Sequence, residues 1–220
     1  MTDISASMLK EKDPSQLDVS NISAWIFDLD NTIYPAHQSL FPRVAVRMID
    51  WIEQHFKLPR AQAEALKTRL FLEYGTTMNG LSSEYSIAPE DFLSYVHDID
   101  LSDISYDSEL DEGISALPGN KYIYTNGTVL HAERILDGFG IKHHFELIFD
   151  IFASNHNPKP AMQPYQDFLA KSNINPHQAV MIEDMACNLE PAASLGMKTV
   201  WLMAEHSWAK KGATEPYVHY

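Results

Sequence analysis

Residues 24–32 read AWIFDLDNT, and this stretch decides the fold. Its apolar residues, at positions 24–27, stop abruptly at Asp28, and a second aspartate follows at Asp30. A short continuous apolar run of this kind is typical of a strand that is buried on both faces of a parallel sheet. The stretch therefore predicts a core strand that carries two carboxylates at its carboxyl end.

The second half of the chain alternates between strand and helix patterns. KYIYT, ELIFDIF, AVMIED and TVWLM fit strands, whereas HAERILDGFG, PYQDFLAKS and NLEPAASLG fit helices. Such alternation predicts a parallel sheet that is covered by helices. We therefore predict an α/β fold with a Rossmann-like core that is built from residues 22–35 and 109–220.

A helical segment separates the two parts of this core. Helical spacing of apolar residues predicts helices over 41–56 and 60–74, and Pro89 is suited to open a third. Residues 36–108 are therefore predicted to form an inserted helical segment. Residues 1–21 are polar without sustained periodicity and are predicted to be a loose lead-in.

The charge balance and the composition exclude several classes of function. The chain has 16 Lys and Arg against 30 Asp and Glu, and this net charge of −14 disfavours nucleic acid polymers and anionic membranes as partners. No apolar run approaches the roughly 18 residues of a membrane span. With a single cysteine and no pattern of a secretory signal at its start, the sequence predicts a cytoplasmic protein.

Polar residues follow four of the predicted strands. They form the segments DLDNT (28–32), TNG (125–127), NPKP (157–160) and ED (183–184). Because the carboxyl ends of parallel strands face one crevice, we expect these segments to meet there. Their carboxylates suit a hard cation, while their hydroxyl, backbone amides and ammonium suit phosphate oxygens. Together they indicate phosphoryl transfer, although an Asp-x-Asp run alone also fits a simple turn.

The same motifs, ending with IEDMACN, resemble those of the haloacid dehalogenase superfamily of phosphohydrolases, over about residues 22 to 203. The second aspartate resembles the phosphatase branch of that superfamily, and the helical insertion resembles its C1 cap. DLDNTIYP and EYGTTMNGL are similar to the pyrimidine 5′-nucleotidase subgroup. The resemblance implies an enzyme, a phosphomonoester hydrolase that acts on pyrimidine nucleoside 5′-monophosphates such as UMP and CMP.

The resemblance also implies roles for the motif residues. Asp28 would be the nucleophile that forms an aspartyl-phosphate. Asp30 would be the general acid and then the general base, with a modestly raised pKa. Thr125, Asn126 and Lys159 would bind the phosphate, together with the backbone amide of the glycine that follows Asn126.

A Mg²⁺ ion is the implied cofactor. The carboxylates of Asp28 and Asp184 and the backbone carbonyl of Asp30 would hold it, since Mg²⁺ prefers oxygen ligands and keeps several waters. Glu183 would ligate the ion directly or through water. Asn188 stands where many relatives carry an aspartate, and it fits a helix N-cap equally well.

The inserted helical segment, with the loop that enters it, is expected to set specificity. Its aromatic and short polar side chains suit a neutral pyrimidine base, and it shows no obvious cluster of Lys or Arg. These side chains are Tyr34, Tyr74, Thr77 and Asn79. Tyr74 also fits the end of a helix, because Gly75 follows it.

Other interpretations stay open at this stage. The same residues fit a phosphatase for another small phosphate or a phosphomutase, and a catalytically silent binding module would keep the fold. The ten histidines show no metal-ligand spacing and are expected in surface or core positions. Cys187 is expected to be a packing residue. The protein is expected to be a monomer or a homodimer.

Overall fold

The computed structural model describes residues 17–34, 40–203 and 208–220. Five strands form one sheet: β1 (Ala24–Phe27), β2 (Asn120–Tyr124), β3 (Phe145–Phe149), β4 (Ala179–Glu183) and β5 (Lys198–Trp201). The α-helices of these ranges are α1 (Leu40–Phe56), α2 (Arg60–Tyr74), α3 (Thr77–Tyr85), α4 (Pro89–Val96), α5 (Ser108–Ala116), α6 (Val129–Phe139), α7 (Met162–Ser172) and α8 (Leu189–Ser194).

The sheet is parallel throughout, with the strand order β3-β2-β1-β4-β5. Its central strand is β1, in which Phe27 pairs with Ile123 of β2 on one side and with Ile182 of β4 on the other. This register brings the carboxyl ends of the three strands to one edge. The predicted α/β fold with a Rossmann-like core is therefore confirmed, and β1 has the predicted bounds.

Helices cover both faces of the sheet because the side chains of β1 alternate between them. Trp25 and Phe27 belong to one buried cluster, to which α6 contributes Ile135. Ile26 belongs to the cluster on the other face, together with Phe168 of α7. Every residue of β1 is buried, which confirms the interpretation of its apolar run.

The helices α1–α4 lie in the chain between β1 and β2 and share a core of their own, to which each contributes buried side chains. Examples are Ile52, Leu70, Leu81 and Phe92. The predicted starts and ends of α1 and α2 are confirmed to within one residue, and α4 begins at Pro89 as predicted. Gly75 ends α2 with a φ of 79°, a conformation that glycine adopts without strain.

Three details differ from the sequence patterns. The start of α3 was not predicted; Thr76 marks it, because its side chain accepts a hydrogen bond from the Asn79 amide. The helix α5 crosses the predicted boundary at residue 108 and is capped by Asp107. The strand β3 is shorter than ELIFDIF, since Asp150 turns away from the sheet and its carboxylate accepts hydrogen bonds from two backbone amides.

Some predictions fall outside the described residues. They concern most of the lead-in over 1–21, Pro35 of the motif DLDNTIYP, and His206. Among the helices that the structure does describe, none combines the length and the apolar character needed to cross a membrane.

Candidate active site

Asp28 leaves the end of β1 and lies buried at the centre of the candidate site. It is 6% exposed, and its backbone amide extends the sheet by donating to the Ile182 carbonyl at 3.0 Å. One carboxylate oxygen, Oδ1, accepts a hydrogen bond from Lys159 Nζ at 2.7 Å. The other, Oδ2, accepts from the Thr32 hydroxyl at 3.1 Å. Both oxygens of the predicted nucleophile are therefore held in fixed directions.

Lys159 is fully buried in the loop that follows β3. Besides Asp28, its ammonium donates to Glu183 Oε2 at 2.6 Å and to the Tyr124 carbonyl at 2.9 Å. Its backbone amide donates to Asn126 Oδ1 at 2.9 Å. Burial acts to lower the pKa of Lys159, but the charges of Asp28 and Glu183 outweigh burial and raise it. This lysine stays charged and joins the ends of three strands.

Three carboxylates form an acidic cluster around this ammonium. Oxygen atoms of Asp28, Glu183 and Asp184 lie within 4.8 Å of one another, and all three residues are buried. Burial, with the charge of Glu183, raises the pKa of Asp28 to about 7 and that of Asp184 to about 9. One lysine therefore does not stabilise all three carboxylates in their ionised form. Its all-oxygen donors fit a hard divalent cation such as Mg²⁺.

The members of this cluster differ in how their oxygens are used. Glu183 engages both carboxylate oxygens, since Oε2 accepts from Lys159 and Oε1 accepts from the Met185 amide at 3.2 Å. The carboxylate of Asp184 accepts a long hydrogen bond from the Asn31 amide group at 3.4 Å and also shares a hydrogen bond with Glu183. Asp184 is therefore better placed than Glu183 to be a direct ligand.

Asn188 lies near this cluster in sequence, at the start of α8. It occupies the N-cap position of α8, as one interpretation expected, but its buried side chain makes no capping hydrogen bond. The backbone carbonyl of Asn188 instead accepts a hydrogen bond from the Tyr165 hydroxyl at 2.6 Å. The neighbouring thiol of Cys187 has a raised pKa, chiefly because it is partly buried, in keeping with a packing role.

Asp30 lies two residues beyond Asp28. Its carboxylate contacts His131, a buried residue that the sequence analysis did not single out. Its Oδ1 atom lies 3.0 Å from His131 Nε2 and also accepts a hydrogen bond from the Tyr34 hydroxyl. The ring of His97 stacks on His131 with a centroid distance of 4.2 Å. Two contacts on one oxygen fix the carboxylate of Asp30 and leave Oδ2 for other partners.

The pKa of Asp30 differs in direction from the sequence-based expectation. Burial acts to raise it, but the charge and hydrogen bond of His131, with the Tyr34 hydroxyl, outweigh burial and lower the pKa of Asp30. The predicted modest rise is therefore wrong. It assumed that the neighbouring carboxylate of Asp28 dominates, whereas the closest partners of Asp30 are hydrogen-bond donors.

Thr125 and Asn126 follow β2 and face the same cleft as Asp28. Thr125 is 1% exposed, and its hydroxyl oxygen accepts a hydrogen bond from the Gly127 amide at 2.9 Å. The Gly127 amide is thus used within the loop, contrary to the expectation that it faces a phosphate. A Cβ atom at Gly127 would lie 3.2 Å from this hydroxyl oxygen, so a larger residue would crowd the Thr125 side chain.

A cleft of about 270 Å³ connects these residues to the inserted helices. Its walls on the insertion side are mostly apolar, with a few polar side chains. They include Val44, Met48, Lys67, Thr68, Phe71, Thr76, Thr77, Met78, Asn79 and Phe92. Asn79 and Thr77 thus lie where the sequence analysis expected them.

Two of the predicted specificity residues do not line this cleft. Tyr74 packs against the core of the inserted helices, and its hydroxyl pairs with Glu84. Tyr34 is 1% exposed and lies beneath Asp30. Neither tyrosine therefore forms part of the wall that a ligand in the cleft would contact. Lys67 is the converse case, because it lines the cleft although no motif pointed to it.

His143 and His144 lie outside the cleft, and with Asp111 they bring three possible ligand atoms within 4.8 Å of one another, which the sequence analysis did not expect. His143 is exposed, and His144 Nε2 lies 2.6 Å from Asp111 Oδ1. The other oxygen of Asp111 accepts from the Tyr106 hydroxyl at 2.7 Å. Asp111 thus joins His144 and Tyr106 in a small hydrogen-bond network that lies outside the cleft.

Comparison with known proteins agrees with this geometry. Residues 22–196 match the haloacid dehalogenase-like hydrolases. A predicted phosphoglycolate phosphatase from Haemophilus somnus superimposes with a TM-score of 0.61 at 20% identity, over 91% of this chain and 94% of that one. A haloacid dehalogenase-like hydrolase from Streptococcus pneumoniae gives 0.61 at 18% identity, over 89% and 92%. Magnesium-bound YfnB from Bacillus subtilis gives 0.55 at 17% identity, over 82% and 86%.

The fold and the family match thus define a hydrolase with the haloacid dehalogenase-like architecture. The chain belongs to the haloacid dehalogenase-like hydrolase family.

Proposed function

We propose that the protein is a Mg²⁺-dependent phosphomonoester hydrolase that acts through an aspartyl-phosphate on Asp28. The observation that carries the proposal is the setting of this carboxylate. It is buried beside Lys159 as one of the three carboxylates of the acidic cluster, and it lines a cleft that Asp30 also lines. A nucleophile, a second carboxylate for proton transfer and a fixed positive charge are what phosphoryl transfer to a carboxylate requires.

The reaction has two displacements at phosphorus. In the first, a carboxylate oxygen of Asp28 attacks and the bond from phosphorus to the leaving oxygen breaks. Asp30 gives a proton to that oxygen, and because its pKa in the unliganded protein is lowered, it has to take up this proton when the anionic phosphate arrives beside it. In the second, Asp30 takes a proton from a water whose oxygen attacks the same phosphorus, which releases inorganic phosphate and restores Asp28. His131 and Tyr34 orient Asp30 for both proton transfers through its Oδ1 atom.

The carboxylates of Asp28 and Asp184 and the backbone carbonyl of Asp30 would hold the Mg²⁺ ion. The ion supplies positive charge between a carboxylate nucleophile and a phosphate dianion. Thr125 donates its hydroxyl to a phosphate oxygen, and Asn126 keeps the loop of Lys159 in place. The magnesium in the Bacillus subtilis structure, which shares this fold, supports the choice of ion.

Metal removal tests this part of the proposal. EDTA is expected to abolish phosphate release and Mg²⁺ to restore it, because Lys159 alone does not stabilise the three carboxylates in their ionised form. Asp184→Asn should raise the Mg²⁺ concentration needed for half-maximal rescue by at least about tenfold. Mg²⁺ should also raise the Tm of the wild type more than that of this variant.

The control for metal removal is Asp98→Asn, which changes an exposed aspartate outside the cleft. It should respond to Mg²⁺ as the wild type does. Full activity of the EDTA-treated wild type, or an Asp184 variant with unchanged Mg²⁺ dependence, would contradict the metal assignment.

We further propose that residues 36–108 act as a C1-type cap and that the substrate is a pyrimidine nucleoside 5′-monophosphate. The apolar cleft wall with Thr76, Thr77 and Asn79 suits a neutral base with a hydrogen-bonding edge. The similarity of DLDNTIYP and EYGTTMNGL to the pyrimidine 5′-nucleotidases supports the same substrate. The cap would exclude bulk water from the aspartyl-phosphate.

A substrate panel tests this specificity. UMP and CMP are expected to exceed AMP, GMP and sugar phosphates in kcat/KM. Asn79→Ala should reduce the ratio of pyrimidine to purine kcat/KM by about three- to tenfold, since one neutral hydrogen bond is lost. Tyr74→Phe is the matched control and should leave the ratio unchanged, because Tyr74 does not line the cleft.

Other outcomes of the panel separate the remaining interpretations. Equal cleavage of purine and pyrimidine nucleotides, or faster cleavage of another phosphate, would replace the nucleotidase assignment and keep the hydrolase. Transfer of the phosphoryl group back to substrate without phosphate release would indicate a mutase. Absence of turnover on every ester would indicate a binding module.

A further inference from the structure

Lys67 brings a positive charge to the insertion side of the cleft. It lies on α2 and lines the same cleft as Asp28 and Asp30. Thr77, also in the cleft wall, donates its hydroxyl to the Lys67 backbone carbonyl at 3.3 Å. This hydrogen bond connects the first residue of α3 to the backbone of α2 at Lys67.

The ammonium of Lys67 has no carboxylate partner in the described part of the chain. No described Asp or Glu oxygen lies within 4.0 Å of it, although Glu64, one turn earlier on α2, attracts it from a greater distance. The other lysine in the cleft wall, Lys159, has three partners and is buried beneath the acidic cluster. Of the two lysines in the described cleft wall, Lys67 is therefore the one without an ion-pair partner.

The surroundings of Lys67 make an unpaired charge costly. The side chain is half-buried, and burial lowers its pKa. Apolar side chains such as Phe71 and Met48 line the same cleft, so the ammonium has lost part of its hydration without gaining an acceptor among the residues that the structure describes. An acceptor oxygen that arrives with the ligand would recover this cost, most strongly in the water-poor part of a closed cleft.

We propose that Lys67 is a specificity-determining residue that binds an acceptor oxygen on the leaving group of the substrate. This inference rests on the proposed phosphatase function, because it places the phosphate at Asp28 and the rest of the substrate toward α2. The acceptor is a carbonyl, as on a pyrimidine ring, or a carboxylate, as on a phosphorylated hydroxy acid. A leaving group without such an oxygen gains nothing from Lys67.

Lys67→Met tests the proposal, since methionine keeps the apolar stem and removes the charge. For UMP or for 2-phosphoglycolate, whichever the wild type cleaves better, kcat/KM should fall by about 10- to 100-fold, mainly through KM. Phenyl phosphate, which lacks an acceptor oxygen on its leaving group, should change by less than about twofold. Lys67→Arg should recover part of the loss. The probe with the larger fall identifies the acceptor as a carbonyl or a carboxylate.

Two controls separate recognition from a structural role. Lys57→Met, at an exposed lysine of the same insertion, should change none of these values. The Tm of Lys67→Met should equal or exceed that of the wild type, because an unpaired half-buried charge is removed. An equal fall for all three substrates, or no fall for any, would overturn the proposal.

Binding distinguishes a failure of this inference from a failure of the proposed function. If the wild type releases no phosphate from any of the three esters, the hydrolase proposal fails. Calorimetric titration of UMP and 2-phosphoglycolate into Asp28→Asn, with and without Lys67→Met, then decides the role of Lys67. Weakening of binding by tenfold or more supports the role, whereas equal affinities or no binding to either protein overturn it.

Discussion

Asp28→Asn is expected to abolish turnover, by on the order of 10³-fold or more, and to leave the protein folded. Asparagine keeps the size of the side chain and an oxygen that accepts from Lys159, but an amide does not attack phosphorus. In the wild type, burial raises the pKa of Asp28 to about 7, so its negative charge is unfavourable even beside Lys159 when no metal is bound. The Tm of the variant without metal should therefore match or exceed that of the wild type.

The measurement is phosphate release from the best substrate, with circular dichroism and thermal unfolding of the same samples. Asp98→Asn, at an exposed position, serves as the control and should keep full activity. Substantial turnover by a clean preparation of Asp28→Asn would contradict the covalent assignment. Trapping of a phosphorylated wild-type chain by acid quench, with none in the variant, would support it directly.

Lys159→Met should produce the largest loss of stability among these variants, about 3–5 kcal/mol in the free energy of unfolding. The substitution leaves Asp28 and Glu183 buried without their shared partner. Activity should be lost as well, since the ammonium fixes the nucleophile at 2.7 Å. Urea denaturation of the wild type and the variant, both without metal, measures the difference.

The pH dependence of this loss has a defined sign. The folded-state pKa of Asp28 is already raised, and removal of Lys159 raises it further, so the folded variant holds protons that the unfolded chain releases. Its stability is then present at low pH and is lost as the pH rises through the folded-state pKa. The destabilisation should therefore be greater at pH 8 than at pH 5.

A second substitution in the same background checks the cause of this loss. Glu183→Gln combined with Lys159→Met should recover part of the lost stability, because one unpaired buried charge is removed. Lys171→Met, at an exposed lysine of α7, should have little effect. A small loss in Lys159→Met, or a loss that is equal at both pH values, would show that the buried charges do not depend on this lysine.

The sequence predicted the sheet and the main contents of the site because these depend on local patterns. A continuous apolar run specifies a buried strand at β1, and strands that alternate with helices specify parallel pairing. Parallel pairing in turn places Asp28, Thr125 and Asp184 at one edge. Their convergence follows from chain direction alone and needs no knowledge of side-chain packing.

Tertiary packing alone decided which side chains meet within and around that edge. His131 contacts Asp30 across 101 positions of sequence, and this contact makes the pKa of Asp30 fall where the motif alone suggested a rise. Tyr74 and Lys67 lie on the same helix, yet only Lys67 lines the cleft, because the packing of α2 fixes which of its faces turns inward. Periodicity identifies a helix and its apolar side, but the rotation of α2 against α1 and α3 determines which polar residue faces the ligand.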